Sequence, residues 1–123
     1  MNEAWESLRG ARQHVDKPWG GFDRYTLNQT CTVKILTIAP HQALSLQTHE
    51  RRDELWVVIE GDPEIQVEDM VYPPAAPGQE FFIPCYARHR LTTGARHARI
   101  LEISLGEFDE EDVTRHEDRY GRR

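Results

Sequence analysis

The sequence predicts a small all-β domain, either a sandwich or a small barrel. Three observations carry that expectation. Short segments rich in Val, Ile, Thr and aromatic side chains follow one another along the chain. Gly and Pro turns separate them, with no helical pattern in between. A length of 123 residues suits one compact core and leaves no room for a second.

Taken in order, "NEAWESLRG" (2–10) reads as a short helix, with Asn2 as N-cap and Gly10 as stop. Trp5 and Leu8, three apart, share one face of it. Residues 1–16 are read as an N-terminal extension and 17–123 as the domain proper. "KPWGGF" (17–22) is turn material because of Pro18 and its two glycines. Strands are expected at 23–28, 31–39, 43–49, 54–60 and 64–70. "VYPPAAPG" (71–78) carries three prolines and is a loop. Further strands are expected at 80–84, 89–94 and 98–105. "DEEDVTRHEDRY" (109–120) is expected to start a short helix at Asp109, its acids favouring the positive N-terminal end.

Composition narrows the function. At 38% hydrophobic and 29% charged the chain is too apolar to be disordered. No apolar run approaches the ~20 residues that cross a bilayer, and "MNEAWESLRG" lacks the order of a signal peptide. A cytoplasmic protein without membrane partners is expected. The formal net charge of −6 argues against general nucleic-acid binding. It leaves room for an anionic small molecule held by local arginines. Cys31 and Cys85 are too few for a disulfide framework and are expected as free thiols.

One stretch demands chemistry. "LSLQTHERRDELW" (44–56) sets Gln47, His49 and Glu54 among Leu44, Leu46, Leu55 and Trp56. Side chains alternate along a strand, so Gln47 and His49 share a face, as do Glu54 and Trp56. With "ERRD" (50–53) as a hairpin loop, the three polar tips converge on one point. A buried carboxylate without a partner is heavily penalised, and a divalent cation removes that penalty. Amide oxygen, imidazole and carboxylate are all ordinary ligands. A fourth is offered by His89 in "IPCYARHRL" (83–91).

These motifs resemble a known family. A Gln-x-His cluster with Glu five residues on, then Pro and His some thirty residues later, is similar to the double signature of the cupins. "KPWG", the 44–56 stretch, "GQEFFIP" with "HRL", and the tail "EDRYGR" resemble the cupin domain of type II phosphomannose isomerases. In that family the cupin forms the C-terminal part of a longer enzyme with mannose-1-phosphate guanylyltransferase activity; here it is expected to stand alone. The resemblance implies a double-stranded β-helix (jelly-roll) barrel and makes Gln47, His49, Glu54 and His89 the metal ligands. Zinc is the first choice, with manganese, iron or nickel open. It implies isomerisation of mannose 6-phosphate through an enediolate, with Lys34 or Glu102 as base and Glu50 a candidate peculiar to this sequence. Arg52 and Arg90 are the candidate phosphate binders, and Trp56 a pocket floor. A homodimer is also implied. The alternative is a metal-containing module that binds a sugar phosphate or small acid without turning it over. Glu50, Arg51 and Leu55 stand where the family tends to carry further histidines, Ser104 where it has a glutamine and Thr93 where it has an asparagine.

Overall fold

The computed structural model describes residues 10–122. Eleven strands are its named elements: β1 (Gln13–Lys17), β2 (Gly20–Arg24), β3 (Cys31–Ile38), β4 (Leu46–Thr48), β5 (Arg52–Glu60), β6 (Glu64–Val67), β7 (Met70–Val71), β8 (Glu80–Ile83), β9 (His89–Thr92), β10 (Ala98–Gly106) and β11 (Thr114–Glu117). They form a β1–β2 hairpin, a four-stranded sheet ordered β3-β10-β5-β8 and a five-stranded sheet ordered β11-β4-β9-β6-β7. The pairing within each sheet is antiparallel.

The two large sheets pack face to face. One apolar cluster takes Ile38, Trp56, Phe81, Ile83 and Ile100 from the first sheet and Ile65 and Leu91 from the second. Alternation explains the choice: each lies on the inward parity of its strand. β5 departs from simple alternation because it is buried from Arg52 through Val58. Its other face, Leu55 and Val57, packs with Ile103 and Leu105 of β10 and with Tyr25 in a second cluster. The chain entering that face is tied down by Arg12, which donates to Glu80 of β8 at 2.6 and 2.8 Å and lies over the Tyr25 ring.

Several expectations are corrected. "KPWGGF" is not only a turn: Gly20 and Gly21 open β2, and Pro18 and Trp19 form the bend. The close β1–β2 pairing at Gly21 requires glycine, because a Cβ there would meet Val15 O at 2.6 Å. Residues 25–28 are not strand. The loop at 50–53 does not join a hairpin, because β4 belongs to the five-stranded sheet and β5 to the four-stranded one. The helix expected from Asp109 is absent. Asp109 caps a single turn, accepting from Glu111 N at 2.9 Å, and the chain then runs into β11 beside β4. Pairing with β4 satisfies more backbone groups than one further helical turn could. The N-terminal helix expected at 2–10 falls almost wholly outside the described residues, and the boundary drawn at residue 17 lies within β1.

The segment between β10 and β11 clamps the chain around His49. Asp112 is buried, and its two carboxylate oxygens accept from Glu50 N (2.9 Å) and Arg51 N (3.0 Å). Its carbonyl faces His49 Nδ1 at 2.7 Å. Gly106 makes the approach possible: at φ +119° its missing Cβ would stand 2.4 Å from Arg51 O. Burial alone would raise the Asp112 carboxyl, but the N–H donors of Glu50 and Arg51 outweigh it and hold its pKa below the ordinary aspartate value.

Asp112→Asn should therefore cost about 2 kcal/mol at pH 7, because an amide accepts from only one of two donors that want a charge. The contribution is complete above the unfolded aspartate pKa and is lost as pH falls through the depressed folded value. Urea unfolding of both proteins should show a gap that closes on the acid side. A gap that stays constant to low pH would contradict the assignment.

Candidate metal centre

Three strands and one loop deliver the polar cluster. His89 opens β9 and is the register partner of Gln47 on β4, so both project between the sheets. His49 follows β4 directly. Glu54 enters from the opposite sheet, on β5, between Ser104 of β10 and Ile83 of β8. Convergence thus happens across the sandwich rather than within a hairpin. His49 Nε2 lies 3.5 Å from Glu54 Oε2, and His89 Nε2 lies 3.7 Å from Glu54 Oε1. One ligand atom from each of the three falls within 4.8 Å of the others. Glu54 and His89 are each 1% exposed and His49 4%.

The tautomers follow from the partners. A carbonyl only accepts, so His49 Nδ1–H donates to Asp112 O and His89 Nδ1–H donates to Ala87 O (2.9 Å). Each imidazole is left with an Nε2 lone pair turned toward Glu54. Burial drives the His89 pKa down to about 4 against the pull of the Glu54 charge, so this ring is neutral at pH 7. Its Nε2 is buried and has no hydrogen-bond partner. An orphan of that kind, beside a second imidazole and a carboxylate, fits a divalent cation in chemistry and in tautomer. Gln47 adds an amide oxygen that accepts from Ser45 Oγ at 2.9 Å.

Glu54 is also compensated by protein groups. Arg52 Nε donates to Oε2 at 2.9 Å and Trp56 Nε1 to Oε1 at 3.2 Å. Arg52 Nη2 sits 3.3 Å from His49 Nε2, and Arg52 Nη1 donates to Asp109 O at 3.1 Å. Arg52 is therefore an inner residue of the site, 7% exposed. Trp56 is fully buried core, its edge against His89.

A cavity of about 250 Å³ opens beside this cluster, with Gln47, His49, Arg52, Lys34 and Glu102 in its walls. Glu102 on β10 pairs in register with Lys34 on one side and Trp56 on the other. Burial first, and then the Glu54 charge, raise its pKa to about 7, while Lys34 and Arg52 oppose the rise. Lys34 Nζ contacts Glu110 at 2.5 Å and lies 4.3 Å over the Phe108 ring, which also carries Arg52 at 4.5 Å. Glu50 is exposed and lies outside the cavity wall. Arg90, next to His89, points to the far face of its sheet and pairs with Glu117.

Sequence reasoning missed Phe108, Asp112, Arg115 and Arg122, all from the acidic closing stretch. Arg115 and Arg122 line the cavity. Beyond β11 the tail folds back: Arg119 Nη1 donates to His41 O at 2.7 Å and the Tyr120 hydroxyl to Gln42 Oε1.

Comparison with known proteins agrees with this geometry. The profile of the mannose-6-phosphate isomerase C-terminal family matches residues 6–118. The xanthan biosynthesis protein XanB of Xanthomonas campestris pv. campestris is 36% identical over 88% of this chain and 23% of its own length. The mannose-1-phosphate guanylyltransferase ManC of Salmonella typhimurium is 34% identical over 89% of this chain and 23% of its own. The chain thus spans about a quarter of the length of these relatives. Among solved structures, the cupin-2 domain Rru_A2000 of Rhodospirillum rubrum aligns at a TM-score of 0.60 and 17% identity, covering 80% of this chain and 61% of that one. The fold is a cupin fold, and the chain belongs to the mannose-6-phosphate isomerase C-terminal family.

Proposed function

We propose that this domain is a metal-dependent sugar-phosphate isomerase that interconverts mannose 6-phosphate and fructose 6-phosphate. One observation carries the reading: two imidazoles and a carboxylate, all buried, turn their ligand atoms to one point at the edge of a polar cavity. Membership of the family supports the choice of substrate.

His49, Glu54 and His89, joined by Gln47, would hold the cation. When bound, it supplies Lewis-acid polarisation of the sugar's C1 and C2 oxygens. Zinc is the first choice among divalent ions; manganese, iron and nickel suit the same mixed N/O donor set. Arg52 donates to Glu54 Oε2 and lies 3.3 Å from His49 Nε2, so it would border a cation held there. The chain's own proton chemistry falls to Glu102. Its carboxyl faces the cavity with a pKa near neutrality, the range in which a base can both take and return a proton. Glu102 would take the proton from C2 of the aldose and return it at C1, while the hydroxyl proton passes from the C2 oxygen to the C1 oxygen. Lys34, its cross-strand neighbour, stabilises the carboxylate form.

Two outcomes test the reading. Elemental analysis and calorimetry should find one divalent ion per chain, and Glu54→Gln or His89→Ala should weaken its binding about a hundredfold or more. Full metal affinity in both variants would remove the centre. In a coupled assay the metal-loaded protein should convert mannose 6-phosphate, and Glu102→Gln should lower kcat by roughly a hundredfold or more at unchanged metal content. Binding of the sugar phosphate without any turnover would favour a non-catalytic module instead.

A further inference from the structure

We infer that Glu110 is a specificity-determining residue of the cavity: its carboxylate occupies the Lys34 ammonium, and an anionic ligand takes that ammonium only by displacing it. This role rests on the reading above only in taking the ligand to be anionic. It gives the site a competitor built into its own wall.

Both residues line the cavity, and Lys34 Nζ lies 2.5 Å from Glu110 Oε1. The pair differs from the other one in the same wall. Arg52 and Glu54 meet at 7% and 1% exposure, where separation would strand buried charge. The Glu110 side chain is 74% exposed and that of Lys34 33%, so water takes over the carboxylate when the pair opens. An exposed pair of this kind is weak, and an anion with more charge than one carboxylate can replace it. A neutral ligand has nothing to offer Lys34 in exchange and leaves the pair closed.

Only the Glu110 side chain has to move. Its backbone is fixed by its neighbours: Asp109 Oδ1 accepts from Glu111 N at 2.9 Å and Asp109 O from Asp112 N at 3.0 Å. The Asp112 carboxylate in turn holds Glu50 N and Arg51 N. The ammonium stays in place as well. Lys34 Nζ lies 4.3 Å over the Phe108 ring, a neutral seat that remains when Glu110 leaves. The acids around Glu110 are used differently: Glu107 and Asp109 pair with Arg51 at 3.7 and 3.3 Å. Among the carboxylates of residues 107–112, Glu110 alone lines the cavity. It therefore weakens anion binding by the strength of one ion pair and sorts ligands by charge.

The test uses the full metal-loaded chain and calorimetry with inorganic phosphate, with mannose as a neutral control. Glu110→Gln should bind phosphate about two- to fivefold more tightly than the wild type, the strength of one exposed ion pair. Glu110→Asp keeps the charge but shortens the reach, and should show part of that gain. The two residues should be coupled: in a Lys34→Met background phosphate binds more weakly and Glu110→Gln adds little. Mannose should not distinguish the wild type from Glu110→Gln. Thermal midpoint and metal content are measured alongside, to show that each variant is folded and loaded. Three results overturn the assignment: unchanged or weaker phosphate binding in Glu110→Gln, an equal gain with and without Lys34, or no phosphate binding by either protein. Failure of the isomerase reading has a different signature, no turnover of mannose 6-phosphate while the Lys34-dependent gain persists, and the competitor role survives it.

Discussion

Everything in this domain is arranged around one buried carboxylate. Glu54 is 1% exposed in the space between two sheets, where an uncompensated charge is strongly disfavoured. A guanidinium and an indole N–H on its own strand answer that charge, while two imidazole nitrogens reached across the sandwich turn lone pairs toward it, the arrangement a cation would complete. Removing one partner from such a set leaves a penalty of several kcal/mol. The fold tolerates the arrangement because the surrounding apolar cluster, with Trp56, Ile65, Leu91 and Ile100 essentially inaccessible, supplies the packing that holds both sheets at their separation.

The same charge shapes its surroundings. Glu102 stands one strand over, on β10, and Glu54 adds to the burial that raises its pKa. Two carboxyls that share a dry space cannot both ionise freely. Glu54 holds the nearer donors, and the Glu102 carboxyl is pushed up to about 7. Lys34 and Arg52, gathered on one aromatic ring, keep that balance from tipping fully to the neutral form.

Much of this was legible in the chain, and the limits have physical reasons. Alternation along 44–56 singles out Gln47, His49 and Glu54 as side chains that converge among apolar neighbours, 83–91 offers His89 as a fourth, and the structure brings the two histidines and the glutamate together. Local alternation states which face a side chain takes, but not which sheet its strand joins. For that reason the 50–53 loop read as a hairpin when it is a crossing between sheets. The closing stretch was harder. Four acids in "DEED" favour a helix start, and nothing local foretells that Thr114–Glu117 will pair with a strand more than sixty residues earlier. Asp112 reaches His49 and its neighbours only through that docking. Arg52 reads from sequence as a phosphate binder because its fork suits such a group; its burial follows from Glu54, two positions on, needing a cation.

The clamp on His49 sets an order of events during synthesis. Asp112 reaches back 62 and 61 residues to the backbone it holds, and closing so long a loop is entropically slow compared with forming neighbouring strands. His49 leaves the ribosome well before the group that orients it. A nascent chain therefore carries this imidazole without a fixed direction until the segment beyond β10 docks. Its aim toward Glu54 is in this sense a late property of the folded molecule.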